Sequence, residues 1–512
     1  MKTLKELMHG TDFICGVELV STRGALFEPK VVQTSRFGKD LAAYNKVDWV
    51  SITDNAGGNP MLSPLSLGKQ IKDNGKELVI HISCKDFNRN GLESQLWLLA
   101  SEGLNNILAL TGDAPISGNR GRGKPVFDID SVGLLSLIQR MNNGLLIGKT
   151  KSNKELRLKN TNLYAGAVTT NFKLLESEVI PQLLKLEKKI ETGAKFIINQ
   201  IGYDARKKQE QLAYMKQNGM GDIPLIGNVY VLSGMASKVF NQNLIPGVVV
   251  TDNLKELCIQ QAKAEDKGKA FFKEFAAKQI AVYKGLGYKG VYVGGVHHIN
   301  DLEHIFKIEQ SFSNDDWKQF ISEINFNKPK EFYLYNKDES TSLSNTAKNN
   351  SIINAVSKKP NLNYTFSNWV HNLMFTENKG LFSIGKGMCS NAKDSFQGPF
   401  LMRGIEHLSK SMMFSCKDCG DCSLPETAFL CPESQCAKNQ RNGPCGGTIE
   451  GKCEVLDKEC IWSKAYKRLK TKGEHLNLLS HVPAVQDQGL RGTSSWANSW
   501  LKRDHIGGKN TD

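Results

Sequence analysis

An α/β chain, with a (β/α)8 TIM barrel followed by a small cysteine-rich metal-binding domain, is the architecture this sequence predicts, and three observations predict it. Over the first three hundred residues, short apolar runs alternate with longer amphipathic stretches, the rhythm of strand–helix units joined by right-handed crossovers. The runs number eight, enough to close a parallel barrel. Eight of the 12 cysteines then crowd between Cys416 and Cys460, a stretch rich in Gly, Pro and charge with too little apolar surface for an ordinary core. A doubly wound open sheet is the alternative, but no G-x-G-x-x-G follows the first strand.

In chain order the expected strands are Phe13 to Val20, Trp49 to Thr53, Leu78 to Cys84, Asn106 to Leu110, Leu163 to Val168, Phe196 to Gln200, Leu225 to Val231 and Gly290 to Gly294. Between them lie helical patterns such as Lys173 to Glu191, where Leu175, Val179, Leu183, Leu186 and Ile190 share one face. Gly118 to Gly123, Gly-Asn-Arg-Gly-Arg-Gly, does not open directly onto a helix and reads as a loop over the active face, with Arg120 or Arg122 in reach of a phosphate. The barrel is expected over 1–310. Residues 311–364, whose later part is rich in Asn, Lys and Ser with little periodicity, read as a linker, and 365–512 as the second domain.

The formal charge of +14 is spread along the whole chain, as on a solvated surface, and gives no focused nucleic-acid footprint. No apolar run approaches the length of a membrane span, and the charged amino terminus lacks a signal region, so a soluble, cytoplasmic protein is expected.

Strand four, Ile107-Leu-Ala-Leu110, runs into Thr111-Gly112-Asp113-Ala114-Pro115, an apolar strand ending in a turn that carries a carboxylate. Carboxyl ends of barrel strands carry the chemistry. A closed barrel would gather Glu18, Thr53, Asp54, Cys84, Asp113, Gln200 and Asp204 at one mouth, a set suited to hydrogen-bonding a heterocycle. Partial burial would raise a carboxyl pKa there and make a general acid. A barrel-interior salt bridge from Glu18 to Arg23 is the plain alternative.

These residues resemble the methylenetetrahydrofolate reductase family over about residues 10 to 310. The matching words are Gly16-Val17-Glu18-Leu19, Val50-Ser51-Ile52-Thr53, His81-Ile82-Ser83-Cys84, Ala109-Leu110-Thr111-Gly112-Asp113 and Ile198-Asn199-Gln200-Ile201-Gly202-Tyr203-Asp204. The resemblance implies flavin-dependent reduction of 5,10-methylenetetrahydrofolate to 5-methyltetrahydrofolate, in one-carbon and methionine metabolism. It implies Glu18 as general acid, Asp113 as electrostatic stabiliser and Gln200 holding the pterin. Flavin contacts would fall on Thr53, Asp113, the strand-five end from Ala165 to Thr170, and Lys189 near the phosphates. Departures at Leu19-Val20-Ser21-Thr22-Arg23 and Ala167 to Phe172 leave FAD or FMN open. Gly202-Tyr203 leaves the electron donor open between NAD(P)H and another reductant, a donor protein included. His297 and His298, after strand eight, are candidate substrate or phosphate contacts. A homo-oligomer is left open.

The second domain is set by thiols: Cys416, Cys419 and Cys422 in C-x-x-C-x-x-C, then Cys431, Cys436, Cys445, Cys453 and Cys460. The trio is spaced as for three corners of a 4Fe-4S cluster with a distant fourth cysteine. The remaining four suit zinc or a second cluster, and structural zinc throughout is the simpler alternative. Eight acidic against five basic side chains between Cys416 and Cys460 disfavour a zinc ribbon on nucleic acid. Cys419-Gly420-Asp421-Cys422, Asn442-Gly443-Pro444-Cys445-Gly446-Gly447, Thr493-Ser494-Ser495-Trp496 and Arg503-Asp504-His505 resemble the carboxy-terminal module found with methylenetetrahydrofolate reductases of anaerobic and acetogenic bacteria. A non-catalytic folate-binding or assembly subunit, and a folate-linked methyltransferase, are the alternative functions.

Overall fold

A computed structural model describes residues 2–115, 121, 123–353, 355–356, 361–377 and 380–507. Arg120 and Arg122 of the expected phosphate loop lie outside the described residues. Eight strands close a parallel barrel: β1 Ile14–Leu19, β2 Trp49–Ile52, β3 Glu77–Ser83, β4 Asn106–Leu110, β5 Tyr164–Thr169, β6 Phe196–Asn199, β7 Leu225–Tyr230 and β8 Gly290–Gly294. Each pairs with its sequence neighbours, and β8 returns to β1 with Ile14 opposite Gly290 and Val17 opposite Val293. The expected strands are all present, with ends differing by a residue at most.

Alternation along each strand divides the core. Cys15, Val17 and Leu19 of β1 face the helix layer, while Ile14, Gly16 and Glu18 face inward. The lower interior is filled by Trp49, Phe196 and Tyr292, and the first two rings need glycine opposite them. A Cβ on Gly16 would lie 2.0 Å from the Trp49 indole, and one on Gly166 would lie 2.3 Å from the Phe196 ring. Helix Leu4–His9 closes the floor with Leu4 and Met8, held by a capping box between Thr3 and Glu6. The polar mouth therefore lies at the opposite, carboxyl end.

Two segments differ from expectation. A short antiparallel hairpin, Leu146–Lys149 with Glu155–Arg157, precedes β5. Within the stretch read as linker, Tyr335–Lys337 pairs with Ser344–Lys348 and packs on the helix after β6, Ala205–Gln217. Tyr335 is fully buried; its N–H donates to Glu210 Oε1 at 2.9 Å and its hydroxyl to Gln217 Oε1 at 2.9 Å. Such a strand shows almost no period in sequence, because one aromatic and several polar contacts hold it rather than an apolar face.

The cysteine-rich domain is built of short helices and loops, and its inner side joins the barrel's core. Trp462, Tyr466 and Leu479 pack in the same cluster as Val179, Leu183 and Leu186 of helix Glu176–Glu191. Tyr466 OH donates to Glu176 at 2.7 Å, and Ser177 and Ser463 share a hydrogen bond of 2.8 Å. Among the described residues, no helix is long and apolar enough to cross a membrane.

Candidate active site at the barrel mouth

The strand ends open into a cavity of about 660 Å³ lined by Glu18, Thr53, Asp54, Asp113, Thr170, Lys189 and Gln200. Glu18 is inside because it follows Ile14 and Gly16 in the inward register, and Tyr292 OH from β8 donates to its Oε1 at 3.1 Å. Burial raises its pKa against the opposing effect of that bond. Its partner is thus a neutral phenol and not Arg23. A carboxyl so placed keeps its proton to higher pH and can give it to a ligand.

Asp113 sits beyond β4 on the turn where Gly112 adopts φ +86°, and the Gly57 N–H donates to its Oδ2 at 3.2 Å. Burial raises its pKa, Lys438 opposes the shift, and Glu454 adds to it. Asp54 accepts from the Ser83 N–H at 3.0 Å and the Ser83 hydroxyl at 2.7 Å, and burial raises it also. His81 is neutral, its pKa pushed down to about 3 by burial, and shares a 2.8 Å hydrogen bond with Ser51. Lys189 reaches over the rim of β5 to the Val168 carbonyl at 2.5 Å, and burial, then Lys185, brings its pKa to about 7.

Some expected residues are elsewhere. Ala165 and Cys84 fall on the outward register and are packed against the helix layer. Asp204 caps helix Ala205–Gln217, accepting from the Arg206 N–H at 2.9 Å, and pairs with the Tyr333 hydroxyl. His297 and His298 are exposed and do not line the cavity.

The cavity also takes a wall from the cysteine-rich domain: Lys438, Pro444 to Gly447 and Glu454. Lys438 Nζ donates to the Gly112 carbonyl at 2.8 Å and is ion-paired with buried Glu454. Lys185 donates to the Gly443 and Pro444 carbonyls at 3.2 and 3.1 Å, Gln182 to Cys445 O at 2.6 Å, and Lys173 to Gly446 O at 2.6 Å. Asn442 is held by Asp130, its amide donating to Oδ1 at 3.0 Å. Gly446 O comes so near Gly247 that a Cβ there would lie 3.2 Å from it and 3.2 Å from Gln200 Nε2. The Asn442 to Gly447 word, rich in glycine, was the one sequence signal of this close approach.

The walls set hydrogen-bonding side chains beside apolar ones such as Val168, Ile198 and Phe240. Thr169 Oγ1 and Glu454 Oε2 both border the cavity and are buried without a hydrogen-bond partner among the described residues. Of the residues expected to meet a flavin, Thr53, Asp113, Thr170 and Lys189 line the cavity.

The eight cysteines divide four and four. Cys416, Cys419, Cys422 and Cys431 surround one small cavity, with Lys410 and Arg441 beside them. Cys436, Cys445, Cys453 and Cys460 surround another. Among the described residues, no group of three or more His, Cys, Asp or Glu side chains is arranged to hold a metal ion. The donor sets are nonetheless all-sulfur quartets suited to zinc or an iron–sulfur cluster. The Asp418 N–H points at Cys416 Sγ at 3.4 Å and the Gln440 N–H at Cys436 Sγ at 3.5 Å. Burial pushes the Cys416 thiol up to about 11 and the Cys460 thiol up to about 12. Cys445 borders both the second quartet's cavity and the barrel mouth.

Residues 25–299 match the family model described as methylenetetrahydrofolate reductase, and residues 400–488 that described as methylene-tetrahydrofolate reductase C terminal. Among curated proteins the chain is similar to methylenetetrahydrofolate reductase 2 of Schizosaccharomyces pombe, 24% identical over 36% of this chain and 28% of that protein. The match therefore spans little more than a quarter of that relative's length. Among solved structures it is similar to an uncharacterised Clostridium thermocellum protein that binds two copies of 5-methyl-5,6,7,8-tetrahydrofolic acid, at 14% identity and TM-score 0.41, covering 60% of this chain and 97% of that one. It is also similar to DmoA from Hyphomicrobium sulfonivorans, at 7% identity and TM-score 0.35, covering 57% and 86%.

Proposed function

The chain belongs to the methylenetetrahydrofolate reductase family, and from that premise we propose that it reduces 5,10-methylenetetrahydrofolate to 5-methyltetrahydrofolate with a flavin held in the barrel mouth. The observation that carries the reading is the single cavity holding a buried carboxyl, a second carboxylate and an amide. Flavin, when bound, supplies the hydride. Glu18 gives its proton to the folate nitrogen that leaves as the five-membered ring opens, and its burial favours the protonated form that the step requires. Asp113, fixed by the Gly57 N–H, faces the positive charge that develops on the opened ring. A preset carboxylate stabilises that charge better than water, which must reorient. Gln200 is placed to hold the pterin edge.

The cysteine-rich domain contributes to this site directly, since Lys438 bridges Gly112 and Glu454 beside Asp113. For the metals, a 4Fe-4S cluster on Cys416, Cys419, Cys422 and Cys431 and zinc on Cys436, Cys445, Cys453 and Cys460 accord with the two quartets. The test is spectroscopic. The purified chain should show a flavin spectrum that reductant bleaches and methylenetetrahydrofolate restores, and mass spectrometry of the released cofactor reads FAD or FMN. A colourless chain that binds folate would support an assembly role, and methyl transfer without a flavin cycle would support a methyltransferase; either outcome would overturn the reductase reading.

A further inference from the structure

We propose that the helices leading into the cysteine-rich domain are the contact face for a second copy of this chain, so that the protein is a two-fold dimer. Helix Phe400–Phe414 has its polarity reversed. Its charged Glu406 and Lys410 are buried, Glu406 accepting from the Ser494 hydroxyl at 2.6 Å, the Ser495 hydroxyl at 2.7 Å and the Trp496 N–H at 3.1 Å. Leu401, Ile405, Leu408 and Met412 face outward instead, Met412 being 79% exposed. A helix at a water-facing surface carries its charges outward, so this one is built to be covered.

The outward residues recur at steps of four, three and four, the seam by which one helix packs on another. The same steps recur on the exposed side of helix Leu362–Met374, at Leu362, Phe366, Trp369 and Leu373. With a large apolar side chain presenting roughly 150–250 Å², the exposed parts of these residues and their neighbours Phe400, Leu381, Ile384 and Met388 reach on the order of 1,500 Å². That exceeds the ~300–600 Å² of the largest patch on a typical monomer and the ~800 Å² that each partner gives to a standard interface. An area of this size suits a permanent contact rather than a passing encounter with an electron donor.

Two features make a second copy the occupant. The face is self-complementary: a groove of about 290 Å³, lined in part by Phe366, Val370, Ile405 and Met413, lies beside the ridge of Leu401, Leu408 and Met412. A two-fold axis lays each copy's ridge in the other's groove. Among the described residues the groove's charged linings, Lys410 and Asp504, are themselves buried, so helices Leu362–Met374 and Phe400–Phe414 present little charge for an oppositely charged partner to read. Helix Leu362–Met374 contains no Asp, Glu, Lys or Arg, and the charges of Phe400–Phe414 turn inward. Two chains of net charge +14 can therefore meet along these two helices with little like-charge repulsion.

Light scattering of the purified full chain at micromolar concentration should give twice 56.8 kDa. The double variant Leu408→Glu/Met412→Glu should run as a monomer with parental circular dichroism, while Ile147→Glu, an exposed position on the barrel's hairpin, should leave the dimer intact. Leu401→Lys gives the same reading if the double variant does not fold. A parental chain that is monomeric, or an oligomer that survives these substitutions, overturns the proposal.

Discussion

Replacing Glu18 by glutamine removes one proton and almost nothing else. The side chain keeps its length, and its remaining carbonyl oxygen can still accept from the Tyr292 hydroxyl, now 3.1 Å from Oε1. General acid catalysis contributes about 10²–10⁴ in rate, which at ~1.36 kcal/mol per tenfold is ~2.7–5.5 kcal/mol of barrier. Folate reduction should fall by that factor, while the flavin stays bound and reductant bleaches it at the parental rate, since that half-reaction needs no acid for folate. Stability should move the other way. A carboxyl whose folded pKa is raised gives stability that is complete below its unfolded pKa and lost as pH rises through the folded value. The parent should therefore lose melting temperature between acid and neutral pH, and Glu18→Gln should lose less. Rapid-mixing absorbance of the two half-reactions, with melts across the same pH range, checks both. Parental folate reduction in Glu18→Gln would refute the assignment, and an equal loss of both half-reactions would make Glu18 structural.

Asp113→Asn should slow folate reduction by about a hundredfold or more and raise the flavin potential, since a nearby negative charge disfavours the reduced anion; an unchanged potential would put Asp113 away from the flavin. Cys419→Ser should abolish visible cluster absorbance and acid-labile sulfide after anaerobic purification, whereas Cys436→Ser should lower zinc and leave the sulfide; two zinc ions and no sulfide in the parent would end the cluster assignment. Tyr335→Ala should destabilise the chain by roughly 3–5 kcal/mol, as for a large buried ring, and expose 325–349 to protease. Denaturant melts and limited proteolysis measure this, and parental values for both would mean that the hairpin is not docked.

The sequence by itself determined the barrel, because a strand buried on both sides must be an apolar run and a helix on its outside must repeat every three to four residues. It likewise determined that Glu18, Thr53, Asp113, Thr170 and Gln200 meet, since strand ends in a closed barrel share one mouth. It misplaced Ala165 and Cys84, because a shift of one residue along a strand exchanges the inside for the outside. It misplaced Asp204 too, since a carboxylate after a strand serves equally as a helix cap. Only the tertiary structure decided that Lys438 and Glu454 complete the mouth and that the cysteines part as Cys416, Cys419, Cys422 and Cys431 against Cys436, Cys445, Cys453 and Cys460. Those are meetings of loops more than a hundred residues from the barrel strands, or of thiols with many allowed pairings. No local period encodes them; they follow from how Lys173, Gln182 and Lys185 grip the Gly443 to Thr448 carbonyls once both domains have folded.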